Sequence, residues 1–346
     1  MEIMLASANP AFPPIRSTDI MPRLANTGAH TLSGAVIEPR ALDELLPNWA
    51  EMDSHPLTQP ATSSTMRWFT SKRSFPMPHP PQMSNKGNYI LSLSQFTRWL
   101  GGIAEEMGVE IYPGFAGARL VYGNDASGDG DAKKKNVTGV VTNEVGVDRA
   151  GRLKDTFEPG MQFNAKLTLL AEGAHGSLTK SVIRDFDLRK SIGADEQTYG
   201  IGVKEVWRVK PDNYRPGEVI HTMGWPFDWK TYGGGFVYHM ADGLVSLGLV
   251  AGLDYANPYF SPYRSLQQWK HHPYFRQLLD GGERVAYGAR VINEGGVQSL
   301  PKLFFPGGAL IGCSAGLVNV PKIKGTHNAM KSGMLAAEAG FEQLMA

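Results

Sequence analysis

Two glycine-containing turns in the sequence have the residue types that a nucleotide phosphate needs. In the first, residues 167–178, an apolar run ends in Glu172 and Gly173, and Gly176 precedes a predicted helix. A helix N-terminus presents unpaired backbone N–H groups and a partial positive charge, which favours a bound phosphate. An ordinary strand-to-helix turn would have the same spacing, so this turn alone leaves both interpretations open.

The second turn follows an apolar run at residues 309–311 and contains Gly312, Cys313 and Gly316. Small residues let the backbone approach a flat ligand or a pyrophosphate closely. The loop then leads to a predicted helix that begins near Thr326. Two such turns, far apart in the chain, are what a composite dinucleotide site needs, so together they predict nucleotide binding.

The elements that must position these turns alternate between strands and helices. Residues 88–93 predict a strand, and a helix with its N-cap at Ser94 follows, because apolar residues recur at helical spacing. A polar loop at residues 123–136 separates two predicted antiparallel strands, and residues 199–255 alternate as a β-sheet does. Residues 66–84 contain four prolines, and we expect no regular element there.

The composition of the 346 residues excludes several classes of protein. Lysine and arginine total 34 against 33 acidic residues, so we expect no nucleic-acid partner, because such binding depends on excess positive charge. The single cysteine, Cys313, excludes an internal disulfide and a metal site built on cysteines of this sequence. No stretch reaches the ~18–20 apolar residues of a membrane-spanning helix, so membrane contact would be peripheral.

Residues 1–27 form a predicted leader that is interrupted by prolines and carries two arginines but few acidic side chains. This composition is similar to that of a mitochondrial transit peptide. A disordered or misassigned leader would have the same composition, and both interpretations stay open.

Longer blocks of the sequence are far more specific than these short patterns. Eight of them, in order from Gly28 to Glu338, resemble consecutive blocks of the electron-transfer-flavoprotein:ubiquinone oxidoreductase family. The blocks are GAHTLSGAVIEP, AEGAHGSLTK, QTYGIGVKEVW, GWPFDWKTYGGGFVYH, LGLVAGLDYANPY, QQWKHHP, RVAYGARVINEGGVQSLPKL and IGCSAGLVNVPKIKGTHNAMKSGMLAAE. The resemblance implies an oxidoreductase that passes electrons from reduced electron-transfer flavoprotein to ubiquinone.

The resemblance implies an α/β (α+β) protein. A three-layer FAD-binding fold of the aromatic-hydroxylase type would be interwoven with a β-sheet-rich ubiquinone-binding domain. Residues 28–40, 85–198 and 285–346 would form the FAD-binding part. Residues 41–84 and 199–284 would form the ubiquinone-binding part, with the proline-rich segment facing the membrane.

The resemblance also implies roles at the FAD site. The small residues of the second turn would line the ribityl chain and the pyrophosphate, and the first turn would lie near the pyrophosphate. The start of the last helix would bond the pyrimidine side of the isoalloxazine. The residues at these positions are Gly312, Cys313, Gly316, Thr326, Glu172 and Gly173.

For ubiquinone, the resemblance implies that Gly233 and Gly234, within the string TYGGGF, contact a ring carbonyl. Glycine exposes its backbone N–H, and a quinone oxygen needs a donor beside an apolar slot. Without the family, a flexible hairpin tip would be the simpler interpretation.

In the family, the segment at residues 66–84 faces the membrane. Large apolar side chains would enter the lipid interface, while neighbouring cations would face anionic headgroups. A loop packed on its own protein is the alternative. The side chains concerned are Trp68, Phe69, Phe75 and Met77.

The family's members work in the respiratory chain as peripheral proteins on the matrix side of the mitochondrial inner membrane. The implied partners are therefore electron-transfer flavoprotein, ubiquinone and the membrane surface. Two other functions stay open: a related FAD-dependent reductase of isoprenoid double bonds, and a non-catalytic remnant that binds a quinone or a partner.

Two features of the family have no counterpart in this sequence. Nothing before Gly28 matches the glycine-rich FAD turn, and nothing here matches the cysteine-rich domain that holds a 4Fe-4S cluster in full-length members. We therefore expect a fragment that binds FAD weakly or not at all by itself, and its activity as a fragment stays open.

Overall fold

The computed structural model describes residues 3–4, 31, 34–124 and 135–345. The leader predicted at residues 1–27 lies outside the described residues, except for the two that form the first strand. Most of the predicted polar loop at residues 123–136 also lies outside them.

The described residues form six α-helices. The second begins after Ser92, whose hydroxyl accepts a hydrogen bond from the backbone N–H of Gln95. The predicted N-cap, Ser94, therefore lies inside the helix, because Ser92 already supplies the capping oxygen. The helices are α1 (Arg40–Leu45), α2 (Leu93–Glu106), α3 (Ser177–Asp185), α4 (Pro262–Lys270), α5 (Pro273–Leu279) and α6 (Thr326–Met345).

The described strands are short and fall into six sheets. They are β1 (Ile3–Met4), β2 (Ala35–Ile37), β3 (Gln59–Pro60), β4 (Ser63–Phe69), β5 (Ser74–Met77), β6 (Tyr89–Leu91), β7 (Ile111–Tyr112), β8 (Gly117–Asn124), β9 (Lys135–Thr142), β10 (Val145–Val147), β11 (Leu153–Glu158), β12 (Gln162–Asn164), β13 (Thr168–Leu170), β14 (Tyr199–Arg208), β15 (Glu218–Gly224), β16 (Gly233–His239), β17 (Leu244–Gly252), β18 (Glu283–Asn293), β19 (Phe304–Phe305) and β20 (Gly308–Leu310). The antiparallel pair predicted around the polar loop is β8 and β9.

The largest sheet has seven strands in the order β18-β14-β17-β16-β15-β4-β5. Its neighbours are antiparallel except for β15 and β4, which are parallel. Strands β14 to β17 confirm the β-sheet predicted over residues 199–255. Because β18 is also part of this sheet, residues 285–293 lie with the predicted ubiquinone-binding strands and not with the FAD-binding part.

The sequence predicted no regular element in the proline-rich segment, residues 66–84, and this prediction is wrong. Strands β4 and β5 form an antiparallel hairpin at one edge of the large sheet. Pro76 is tolerated in β5 because an edge strand has no further neighbour that needs its N–H.

One face of the large sheet is covered by α4 and α5. Their side chains Leu266, Trp269 and Phe275 are fully buried in one core with Val237. Phe69 lies in the same core, 1% exposed, with its ring stacked on that of Phe275 at 5.1 Å. The expectation that Phe69 enters a membrane interface is therefore wrong, because alternation along β4 turns this side chain toward the helices.

The opposite face of the sheet packs on other parts of the chain. Val36 and Ile90, from β2 and β6, are buried in one core with Val219 of β15. Lys204 of β14 donates a hydrogen bond to the carbonyl oxygen of Gly34 at 3.1 Å. Both faces of the sheet are therefore buried over much of its area.

Another core joins residues from both sides of the predicted domain boundary at residue 41. Leu42, Trp49 and Leu57 pack with Ile37 and Phe96. This stretch therefore packs with the predicted FAD-binding part, although the sequence assigned it to the ubiquinone-binding part.

We expect Phe69→Ser to lower the free energy of unfolding by about 3–5 kcal/mol, because it removes a buried ring from the core. Trp68→Ser should cost clearly less, since 43% of Trp68 is already exposed. Urea denaturation of both variants measures the difference. Equal losses would contradict the placement of the two neighbouring side chains on opposite faces.

Candidate functional site

The two glycine turns lie side by side. Strands β13 and β20 pair in parallel, with Leu170 opposite Leu310. Both turns therefore begin at the carboxyl ends of these strands, on the same side of the sheet. The backbone N–H of Ile311 donates to the carbonyl oxygen of Leu170 at 3.1 Å, at the point where the turns begin. The fold thus brings together two segments that are far apart in the sequence, as a composite site requires.

The first turn has a different chemistry from the one that the sequence predicted. The Glu172 carboxylate accepts hydrogen bonds from the backbone N–H groups of Leu178 (3.3 Å) and Thr179 (2.6 Å). It also accepts one from the Thr179 hydroxyl at 2.7 Å. Two of the first three N–H groups of α3, those of Leu178 and Thr179, are therefore occupied by Glu172 and are not free for a phosphate. A place for Glu172 near the pyrophosphate stays a prediction.

Two glycines shape this first turn. A Cβ atom at Gly176 would lie 2.4 Å from a carboxylate oxygen of Glu172, so only glycine lets that side chain fold back onto the helix. Gly173 has a φ of +80°, and no atom lies within 4 Å of where its Cβ would be. The backbone at Gly173 therefore faces open space, which a ligand could use.

The second turn is held tightly against α6. Gly312 has a φ of +57°, and its N–H donates to the Ser332 hydroxyl at 2.9 Å. Gly316 has a φ of +87°, and a Cβ there would lie 2.6 Å from Nε2 of Gln197. Both glycines therefore have a structural requirement, separate from any contact with a cofactor.

Helix α6 begins at Thr326, where the loop from the second turn ends. Its first i to i−4 hydrogen bond runs from the N–H of Ala329 to the carbonyl of Gly325, so the N–H groups just before Ala329 have no acceptor within the helix. Asn328 ties the helix to the loop by donating to the carbonyl of Leu317 at 2.8 Å. These backbone N–H groups could donate hydrogen bonds to the carbonyl oxygens of the flavin's pyrimidine ring, which the resemblance places at Thr326.

Cys313 lies in the second turn, where burial raises the pKa of its thiol. The thiol is therefore protonated at neutral pH and is a poor nucleophile. Its place beside a cofactor stays a prediction.

The residues around the second turn fit a flavin nucleotide. Oγ of Ser314 and Nε2 of Gln197 are buried and have no hydrogen-bond partner among the described residues. Unpaired polar atoms of this kind are costly unless a ligand or water satisfies them. When bound, a flavin would supply reversible electron transfer, and Ser314, Gln197 and the α6 N-terminus are placed to bind it.

The predicted quinone residues Gly233 and Gly234 begin β16 in the large sheet, away from both turns in the chain. A Cβ at Gly234 would lie 2.6 Å from the carbonyl oxygen of Thr222, and one at Gly233 would lie 2.8 Å from the Phe227 ring. A larger residue at either position would therefore strain the sheet as well as fill a slot. Their contact with ubiquinone stays a prediction.

The remaining predicted membrane residues share one face of the sheet. Trp68 pairs with Phe75 across the hairpin, and the two are 43% and 48% exposed. Met77 lies two residues beyond Phe75 on the same face. Arg67, one of the cations expected to face anionic headgroups, lies on the other face. Its guanidinium is 5.2 Å from the centre of the Tyr274 ring.

No sequence pattern had indicated a buried polar group on the large sheet. His221 is 5% exposed and Lys324 is 6% exposed. Burial, with the charges of Lys324 and His79, lowers the pKa of His221 to about 3, so its ring is neutral at neutral pH. Burial also lowers the pKa of Lys324, to about 8. A histidine at an apolar position of an alternating strand is the signal that could have identified this group.

Within the described residues, no helix is long and apolar enough to cross a bilayer. The same residues contain no group of histidine, cysteine, aspartate and glutamate side chains that could hold a metal ion.

We expect Glu172→Ala to destabilise the protein by about 1–2 kcal/mol, because two N–H groups of α3 lose their acceptor. Amide hydrogen exchange at Leu178 and Thr179 should become faster. Glu172→Gln keeps one acceptor oxygen and should cost less. Unchanged exchange at both amides in the alanine variant would show that the carboxylate does not cap α3.

Comparisons with known proteins concern the large sheet and the overall fold. A family model described as "ETF-QO, ubiquinone-binding" matches residues 199–292, which include strands β14 to β17 and nearly all of β18. A solved geranylgeranyl bacteriochlorophyll reductase-like protein from Thermoplasma acidophilum has a TM-score of 0.64 at 16% identity, covering 92% of this chain and 70% of that one. A flavoprotein/dehydrogenase from Cytophaga hutchinsonii has a TM-score of 0.58 at 15% identity, covering 92% and 71%. These likenesses show the fold alone, and they confirm the predicted α/β flavoprotein fold.

Sequence relatives are much closer. The probable electron transfer flavoprotein-ubiquinone oxidoreductase of Schizosaccharomyces pombe is 55% identical over 320 residues, 92% of this chain and 49% of the relative. The Homo sapiens protein of that name is 52% identical over 329 residues, 94% of this chain and 51% of the relative. Both names include the word mitochondrial. The chain is thus a homologue of the electron transfer flavoprotein-ubiquinone oxidoreductases along almost its entire length, and it spans about half the length of these curated relatives.

Proposed function

We propose that this chain provides the quinone-binding sheet and part of the FAD site of an oxidoreductase that passes electrons from reduced electron-transfer flavoprotein to ubiquinone. The observation that carries the proposal is the match of the ubiquinone-binding family model to residues 199–292, the region that forms most of the large sheet. The adjacent turns after β13 and β20 support a flavin site in the same protein.

The proposed reaction divides the work between two parts of the chain. The turns and the α6 N-terminus would hold and orient FAD, which carries the electrons. The sheet would hold the quinone ring, with Gly233 and Gly234 offering backbone groups to a carbonyl oxygen. In relatives of full length, a 4Fe-4S cluster would add a further electron carrier.

We further propose that the protein works at the matrix face of the mitochondrial inner membrane as a peripheral protein. Ubiquinone is dissolved in lipid, so an enzyme that reduces it must open its slot at the bilayer. The exposed Trp68 and Phe75, with Met77, form an apolar patch at the sheet edge. Lys72 and Arg73, in the turn between β4 and β5, would face anionic headgroups, each contributing about 1 kcal/mol at low salt.

A binding assay tests the proposed function. The purified chain should bind a short-chain ubiquinone, seen as saturable quenching of tryptophan fluorescence. It should also support ubiquinone reduction by reduced electron-transfer flavoprotein when FAD is supplied. Reduction of a geranylgeranyl double bond, with no quinone binding, would instead favour the isoprenoid reductase.

The membrane patch makes a separate prediction. Trp68→Ser combined with Phe75→Ser should strongly reduce co-sedimentation with anionic liposomes, because both rings would leave the interface. Phe69 should be kept intact, since its loss would unfold the core. A matched control is Phe304→Ser, which removes a ring that is 65% exposed on a different sheet. If the double variant sediments as the wild type does, the hairpin is not the anchor.

A further inference from the structure

His221, in the middle of β15, has a ring nitrogen without a partner. Its Nδ1 is buried and makes no hydrogen bond to any described residue. Its Nε2 lies 3.4 Å from the Tyr238 hydroxyl. Burial raises the pKa of Tyr238, so its hydroxyl stays protonated and can donate a hydrogen bond to Nε2 of His221. In the tautomer in which Nε2 accepts from Tyr238, the proton of the neutral imidazole is on Nδ1, which is then a buried N–H donor with no acceptor among the described residues.

Lys324 supplies a second buried donor, in the loop that is tied to the strands covering the His221 face of the sheet. Its ammonium donates one hydrogen bond, to the carbonyl oxygen of Lys322 at 3.1 Å. The nearby carboxylate of Glu38 is bound by the Lys322 ammonium at 2.9 Å. An ammonium has three donors, so Lys324 has capacity for a further acceptor. The ion pair of Lys322 with Glu38 fixes this loop at the end of β2, whose Val36 packs with Val219 of the strand that carries His221. The charge of Lys324 is also one cause of the lowered pKa of His221.

The sheet face around His221 leads outward to apolar side chains. His221 is paired with Phe236 on one side and with Met66 on the other. Met223, two residues further along β15, is 38% exposed and pairs with Trp68 of the exposed patch. On this face of the sheet, the residues at the edge are exposed and apolar. Further inward, at His221, the face is buried and offers a hydrogen-bond donor.

Gly234 lies on this same face, two residues before Phe236. The predicted quinone contact and His221 thus share a wall of the protein. A ligand with a planar ring, a ring carbonyl oxygen and a lipophilic tail would fit this face, because apolar side chains lie at the sheet edge and hydrogen-bond donors lie further inward.

We propose that the Nδ1–H of His221 and the ammonium of Lys324 bind a ring carbonyl oxygen of a planar redox ligand, that of ubiquinone. The pyrimidine ring of FAD has the same acceptor chemistry, and the experiment below separates the two sources. The inference rests on the proposed function, which it extends by adding two side chains to a site otherwise built from glycine backbone.

Binding measurements on two His221 variants test the proposal. His221→Leu removes the donor and should weaken the binding of a short-chain ubiquinone about tenfold, the effect of one lost hydrogen bond in a buried site. His221→Asn places an amide N–H near the position of Nδ1 and should recover most of the affinity. Lys324→Met should weaken binding to a similar degree.

His239 offers a matched control. It is also a buried histidine of the large sheet, 1% exposed, but its pairing with Val245 places it on the face that α4 and α5 cover. Its Nδ1 already accepts the N–H of Arg215. His239→Leu should destabilise the protein as His221→Leu does and leave ubiquinone affinity unchanged.

The same variants are titrated with FAD. Weaker ubiquinone binding with unchanged FAD binding assigns the carbonyl to the quinone, and the reverse assigns it to the flavin pyrimidine ring. If His221→Leu and Lys324→Met bind both ligands as the wild type does, the proposal is overturned while the proposed function stands. If the wild type binds no ubiquinone and no FAD, the proposed function and this inference both fail.

Discussion

The register of the seven-stranded sheet is the constraint on which the rest of the structure depends. Both faces of the sheet are buried over much of their area, one under α4 and α5 and the other under β2 and β6. Because side chains alternate along a strand, a shift of one residue would exchange the two faces completely. Phe69 would leave the core and Trp68 would enter it, and His221 would exchange places with Thr222. Core packing and the candidate quinone site are therefore set by one geometric choice.

The two turns at the candidate flavin site show how a protein can leave room for a ligand without leaving its own backbone unsatisfied. Glu172 occupies the N-terminus of α3, and Gly176 makes that contact possible by having no side chain. Open space remains at Gly173, and unpaired polar atoms remain at Ser314 and Gln197. The features that suggest a cofactor therefore lie beside the helix start rather than on it.

The sequence predicted the parts of this structure that depend on local pattern. Alternation identified β14 to β17, and glycine spacing identified the two turns that β13 and β20 bring together. It did not predict β4 and β5, because prolines outweigh strand signals when the edge position of a strand is unknown. It also misplaced Phe69, whose burial depends on Phe275, a residue more than 200 positions away. The cap at Glu172 and the group at His221 likewise arise from tertiary contacts that no short motif encodes.

The edges of the large sheet have a consequence for association between molecules. A free edge exposes backbone groups to which a strand of another chain can bind, and this is a common origin of aggregation. At one edge, β5 carries Pro76, which has no N–H to offer. At the other, β18 has an irregular register against β14 near Val206 and carries the charged side chains of Glu283 and Arg284. Both edges are thus poor templates for an incoming strand, so a protein with exposed apolar rings at the edge of its large sheet is protected from polymerising through that sheet.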